Sequence, residues 1–177
     1  MKTAIILFFL LTFFSIYAHA QNVAVLNINL YPVQTIEVNS ASQTVDLDYK
    51  TREDYRDGVS ITKTDHLKIF STAAFAVKVR SEKPTLTNPD STNSINSSDI
   101  TMTASQGTST SGGSFTSSPV QLSGSDAEFL SSSKGGANNT YNVKYAASGG
   151  DKYINKRVNG QSPTVYTTQV VFSIEPR

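Results

Sequence analysis

Residues 74–81 read AFAVKVRS: Phe75, Val77 and Val79 fall on one face, and Ala76, Lys78 and Arg80 on the other. Period two over a stretch this short predicts a strand with one buried face. The same reading extends outward in both directions. Upstream, VSIT from Val59 and HLKIFS from His66 resume the β pattern, so three short strands or hairpin arms are expected between Val59 and Ser81. Further upstream, TVDLDY (residues 44–49) points Val45, Leu47 and Tyr49 one way and Asp46 and Asp48 the other, the pattern of a strand with one wet face. Between these, residues 50–58 carry mixed charge without apolar period and predict a loop or at most one turn of helix. Residues 39–42, NSAS, read as a turn, and Pro32 makes residues 33–38 a separate strand or a bulged continuation of the one before.

Downstream the composition shifts. Of the 49 residues from 85 to 133, 23 are Ser or Thr. Islands such as ITMTA (100–104) and PVQL (119–122) predict edge strands between long Ser/Thr/Gly-rich loops, and Asp126 to Leu130 fits a single helical turn. YNVKYA alternates again, with Tyr141, Val143 and Tyr145 sharing a face. In VYTTQVVFSI (165–174), Tyr166, Thr168, Val170, Phe172 and Ile174 do the same. No segment sustains a 3.6-residue period. About eight to ten short strands separated by turn signals predict an all-β fold, an antiparallel, immunoglobulin-like β-sandwich over residues 32–177.

The N-terminus has two further parts. Met1-Lys2, an apolar run from Ala4 to Ile16 and the small-x-small site Ala18-His19-Ala20 have the form of a secretory signal peptide, residues 1–20. Its apolar run is short for a membrane span of roughly 20 residues, and no second apolar stretch follows. Cleavage there leaves 157 residues with 14 basic and 14 acidic side chains and one histidine, His66. Residues 21–31 follow as an extended strand, half-buried to fully buried by its pattern. In NVAVLNINLY (22–31), Ala24, Leu26, Ile28 and Leu30 share a face, and Val23 and Val25 begin the other.

The 177-residue chain has no cysteine and no tryptophan. Disulfides, thiolate metal sites and cysteine nucleophiles are thereby excluded. A formal charge of +1 gives no electrostatic footprint for nucleic acid. His66 has only Asp65 beside it, and a partly exposed structural histidine at a strand start is expected. Asp46, Asp48, Glu53, Asp54 and Asp57 are the candidates for calcium, but their spacing is not that of a calcium loop, and Arg52 and Arg56 interleave with them. The paired glycines read as turns, because they lack phosphate-loop spacing. No catalytic constellation and no cofactor site emerges, and the chain reads as a non-enzyme. Charge is segregated: residues 37–57 carry a local net of −3, and residues 134–160 a net of +4. Placed at different ends of a sandwich, they would complement one another between copies.

The layout resembles secreted pilin subunits assembled by donor-strand exchange, in particular the spore coat U-like group of chaperone-usher pilins. The likeness lies in the signal peptide, the alternating apolar segment at 23–31, the Ser/Thr/Gly-rich β body and the closing strand VYTTQVVFSI. It implies a sandwich short of one strand, filled by the N-terminal extension of a neighbouring subunit through β-augmentation. Val23, Ala24, Val25, Leu26, Ile28 and Leu30 would then include the donor residues, and residues 165–174 would border the groove. It further implies a secreted or periplasmic subunit bound for the cell surface, its partners copies of itself or a homologous subunit and a periplasmic chaperone. A module binding a glycan or other surface ligand through Tyr49, Tyr55 and Tyr153 is the alternative, and a small hydrolase built on Asp or Glu the third reading.

Overall fold

A computed structural model describes residues 22–177, so the signal-peptide reading of residues 1–20 lies outside the described part of the chain. Residues 32–177 form one compact unit, and it is all-β: eleven strands among the described residues, all pairing antiparallel. In chain order they are β1 (Gln34–Val38), β2 (Val59–Ser71), β3 (Phe75–Ser81), β4 (Thr85–Thr87), β5 (Ser94–Asn96), β6 (Ile100–Gln106), β7 (Phe115–Ser117), β8 (Val120–Gln121), β9 (Ala127–Ser132), β10 (Gly136–Ala147) and β11 (Val170–Pro176). One sheet runs β1-β2-β10-β6-β8, a second β11-β3-β9-β7, and β4-β5 is a separate hairpin.

The sandwich is immunoglobulin-like in its order. β1-β2-β10-β6 corresponds to strands A-B-E-D of that fold, and β11-β3 to F-C. Among the described residues no strand lies on the outer side of β11. Between the sheets, inward rows pack as their alternation predicts. Phe75, Val77 and Val79 of β3 are at most 1% exposed, and they share the core with Leu67, Ile69, Met102, Phe129 and Val143.

Several expectations change. The region from Val59 to Ser81 holds two strands, because β2 runs unbroken for 13 residues. A bulge accommodates the break in pattern: Tyr141 pairs Leu67 and Val143 pairs Lys63, so β2 carries two extra residues there. Asp65 takes φ +47°, in the left-handed region, at this point. Residues 127–132 form β9 where a helical turn was expected at 126–130. Phe129 and Leu130 are both buried, which a strand under the sheet rewards more than local propensity rewards a helix. Residues 52–57 form a short helix, α1 (Arg52–Asp57), closed at its start by a capping box between Thr51 and Asp54.

Candidate functional site

Two stretches that read as strands have no ladder partner among the described residues. Residues 22–31, expected to be at least half-buried, have no ladder partner among the described residues and are exposed throughout. Leu26, Ile28 and Leu30 are 88%, 79% and 89% exposed, and Val23 and Val25 are as open. Single exposed apolar residues are ordinary, but a contiguous uncharged row is a candidate interaction surface.

The second stretch is residues 43–49. Their burial alternates as predicted, with Val45, Leu47 and Tyr49 half-buried and Thr44, Asp46 and Asp48 exposed. Val45 and Leu47 pack against the core. No ladder forms, however, and the segment makes no backbone–backbone hydrogen bond among the described residues. The cause lies just upstream. β1 follows β2 from Gln34 opposite Ser71 to Val38 opposite Leu67. Asn39 still donates its N–H to the His66 carbonyl at 2.8 Å. At that point the bulge at Asp65 bends β2, and a 3-10 turn, Ser40–Ser42, lifts the chain off its edge. Asp65 is held in the bulge because its carboxylate accepts from the Thr108 hydroxyl at 2.6 Å and the Thr108 N–H at 2.8 Å. These bonds hold its carboxyl below the usual carboxylate range.

A cleft of about 430 Å³ opens where the chain has lifted away. Asp46, Leu47 and Asp48 line one side, and Val59, Ser60 and Ile61 of β2 line the other, with Asp54 and Gly58 also in its wall. β10 pairs these β2 residues on their far side. The near side, from Val59 to Asp65, has no strand against it.

Three of the five calcium candidates have partners of their own. Asp48 pairs with Lys50 at 2.6 Å and Asp57 with Arg56 at 2.6 Å. Asp54 caps α1, accepting from the Thr51 and Lys50 N–H groups, which hold its carboxyl low. Glu53 is exposed on the first turn of α1 and Asp46 is exposed beside the cleft. Among the described residues no three acidic or histidine side chains group as metal ligands.

Tyr49, Tyr55 and Tyr153 do come together. The Tyr49 ring centre lies 5.3 Å from Tyr55 and 5.0 Å from Tyr153, tilted and edge-on respectively. Tyr49 donates its hydroxyl to the Ser148 carbonyl at 2.7 Å. Burial raises both Tyr49 and Tyr153, the latter up to about 12 with Asp99 adding to the effect. The same contacts correct the placing of charge. The Gly150 and Asp151 N–H groups donate to the Arg56 and Tyr55 carbonyls at 2.8 and 2.9 Å, so the turn after β10 sits against α1 through its backbone. Lys152 pairs with Asp99 at 2.9 Å. These parts of the two charged regions share one end of the sandwich and meet within the subunit.

His66 is 2% exposed, more buried than expected. It shares hydrogen bonds with the Ser42 hydroxyl through Nδ1 at 3.0 Å and with the Tyr145 hydroxyl through Nε2 at 2.9 Å, and packs edge-on to Phe172. Burial, with Lys63 nearby, lowers its pKa and keeps the ring neutral near pH 7. Neither hydroxyl partner could be found by proximity in the sequence. No helix among the described residues is long and apolar enough to cross a membrane. Compared with known proteins, the chain matches no family model and no curated protein.

Proposed function

We propose that the protein is a secreted structural subunit of the cell surface, pilin- or fimbria-like, which assembles by β-strand addition. The observation that carries this reading is the exposed, uncharged and alternating segment 22–31, in a chain whose sandwich has strand edges left bare. Burying one such aliphatic side chain contributes roughly 1.5–3 kcal/mol. Leu26, Ile28 and Leu30 together therefore supply a large part of what association costs. A donor on one copy and an acceptor on the next make a heterologous contact, which propagates into open filaments. A periplasmic chaperone would hold the same edge before assembly.

The test uses the full secreted chain and its Ile28→Asp variant, compared by sedimentation velocity and electron microscopy. Concentration-dependent assembly or filaments are expected from the native chain, and monomers from the variant. A native chain that stays monomeric at high micromolar concentration, or a variant that assembles equally well, refutes the reading. A second reading, a surface-glycan binding module, draws on the convergence of Tyr49, Tyr55 and Tyr153 at one end. It predicts glycan-array binding that Tyr55→Ala abolishes, and a silent array rejects it.

A further inference from the structure

His66 stands where three parts of the fold meet: the 3-10 turn through Ser42, β10 through Tyr145 and β11 through Phe172. Both of its hydrogen-bond partners are hydroxyls, so the direction of each bond follows from where the hydroxyl protons can go. Ser42 donates its proton to the Asn39 carbonyl at 3.3 Å. Tyr145 is 4% exposed, and its hydroxyl has no partner but His66 among the described residues. Assigned from this network, one tautomer satisfies every donor. Tyr145 donates to Nε2, Nδ1–H donates to the Ser42 oxygen, and Ser42 donates to Asn39. The other tautomer leaves the buried Tyr145 O–H without an acceptor.

A proton added at Nε2 breaks this relay. Nε2–H must then point at the Tyr145 oxygen, and the Tyr145 proton becomes an unsatisfied buried donor. No carboxylate among the described residues compensates. Lys63 on the same strand repels the new charge. The turn Ser40–Ser42 is uncharged, and β10 and β11 present Tyr145 and Phe172. Asp65 is committed to Thr108, and Glu37 of β1 lies opposite Lys68. Relief is nearest on the side of the turn, where the chain is held least. Upstream, the Asn39 N–H donates to the His66 carbonyl, and downstream Tyr49 donates to the Ser148 carbonyl. Between these anchors, the links back to the sandwich are the Ser42–His66 bond and the packing of Val45 and Leu47. β2 and β10, by contrast, are joined by a long ladder.

We infer that His66 and Ser42 form an acid-sensitive latch, which holds residues 40–49 to the sandwich at neutral pH and releases them in acid while the two sheets stay closed. In the open form the imidazole meets water and takes its ordinary pKa of 6.5, whereas the closed form holds it lower. The closed form therefore binds the proton less well. Opening is favoured as pH falls below 6.5, by at most about tenfold per pH unit, until the closed form's own value is reached. Release moves residues 43–49 away from the unpaired edge of β2, Val59 to Asp65. The latch goes beyond the assembly reading and does not depend on it.

Amide exchange by NMR on the full chain tests it, with each rate corrected for its intrinsic pH dependence. The Ser42 N–H, bonded to the Asn39 carbonyl at 2.9 Å, reports the latch, and the Val77 and Val79 amides of β3 report the core. From pH 7.5 to pH 5, Ser42 should lose protection at least about threefold, while Val77 and Val79 keep theirs. In His66→Gln, which has no group to titrate there, the Ser42 loss should vanish. Ser42 protection that stays constant as the His66 ring titrates overturns the latch, as does an equal loss in His66→Gln. Loss at Ser42 and Val77 in step also overturns it, since the sandwich then opens as a whole. Ring-nitrogen shifts of the native chain decide the matter without any variant. The Nδ1–H tautomer at pH 7.5 and a protonation midpoint that coincides with the Ser42 loss are expected; the Nε2–H tautomer, or a midpoint apart from that loss, overturns the latch.

Discussion

Replacing Gly58 and Gly149 by alanine, singly and together, tests the backbone contact that frames the cleft. Gly58 ends α1 and begins the cleft wall. Its N–H donates to the Asp54 carbonyl at 2.8 Å, and it takes φ +85° and ψ 171°. That conformation is essentially restricted to glycine and costs another residue about 1–3 kcal/mol. A Cβ added there would also collide with the Ala147 carbonyl oxygen and stand 2.9 Å from the Gly149 nitrogen. Gly149 faces it: its Cβ would lie 2.5 Å from the Gly58 nitrogen and 2.5 Å from the Asp57 carbonyl carbon. All of these neighbours are backbone, so no side chain can swing aside, and forcing them apart costs about 1–3 kcal/mol.

Gly149→Ala should therefore lose about 2 kcal/mol, from crowding alone. Gly58→Ala should lose about 4 kcal/mol, from crowding and strain together. For a domain of this size, Gly58→Ala then lowers Tm by roughly 8–16 °C. Both methyl groups open the same contact, so the double variant should lose less than the sum, about 4–5 kcal/mol. Urea unfolding followed by circular dichroism reads each value as a shift in midpoint at constant m. A Gly58→Ala loss below about 0.5 kcal/mol, or strict additivity in the double variant, would refute the close approach of α1 to the end of β10.

Acid should weaken the fold through His66. Its folded pKa is lowered, so its contribution is complete above the unfolded value of 6.5 and is lost as pH falls through the lower folded value. The urea midpoint should drop between pH 7.5 and pH 5, and a His66→Phe variant should flatten that slope. A slope unchanged in the variant would place the titrating group elsewhere. Alkali acts with the opposite sign on the tyrosines. Tyr49, Tyr141, Tyr145 and Tyr153 are all raised by burial, so their contribution is whole below pH 10 and is lost as pH rises through their folded values. Absorbance near 295 nm should show an early wave of tyrosinate from the exposed rings and a later one that coincides with unfolding; a single wave centred at pH 10 in folded protein would contradict the burial. Phe129, fully buried between the sheets, should cost about 3–5 kcal/mol as Phe129→Ala, and a loss under 1 kcal/mol would mean the sheets close over the space.

Alternation was the readable signal, and it located inward faces better than strands. Tyr166, Thr168, Val170, Phe172 and Ile174 are all half-buried, as their spacing predicts, yet the ladder begins only at Val170. Thr167 makes a lone bridge to Thr87 upstream of it. Residues 44–49 follow the same rule, with the correct face inward and no partner. Side-chain period reports which way residues point, while a ladder requires a second backbone at about 4.8 Å, and a single segment holds no information about that neighbour. The candidate site divides in the same way. The donor-like row Ala24, Leu26, Ile28 and Leu30 is visible in ten residues of sequence, but its full exposure is not, since the same alternation suits a strand inside its own sheet.

By itself the sequence determined the all-β class, the antiparallel sandwich, the inward rows that fill its core and the absence of cysteine chemistry. These follow from local periodicity and composition, which act within a few residues. Only the tertiary structure decided that Asp65 would bend β2, that residues 43–49 would leave its edge, and that a cleft would open between them. It also brought the turn after β10 against α1 and set His66 between Ser42 and Tyr145. The His66 and tyrosine contacts join groups 24 to almost 100 residues apart, and only closure of the whole chain around one core can fix such distances.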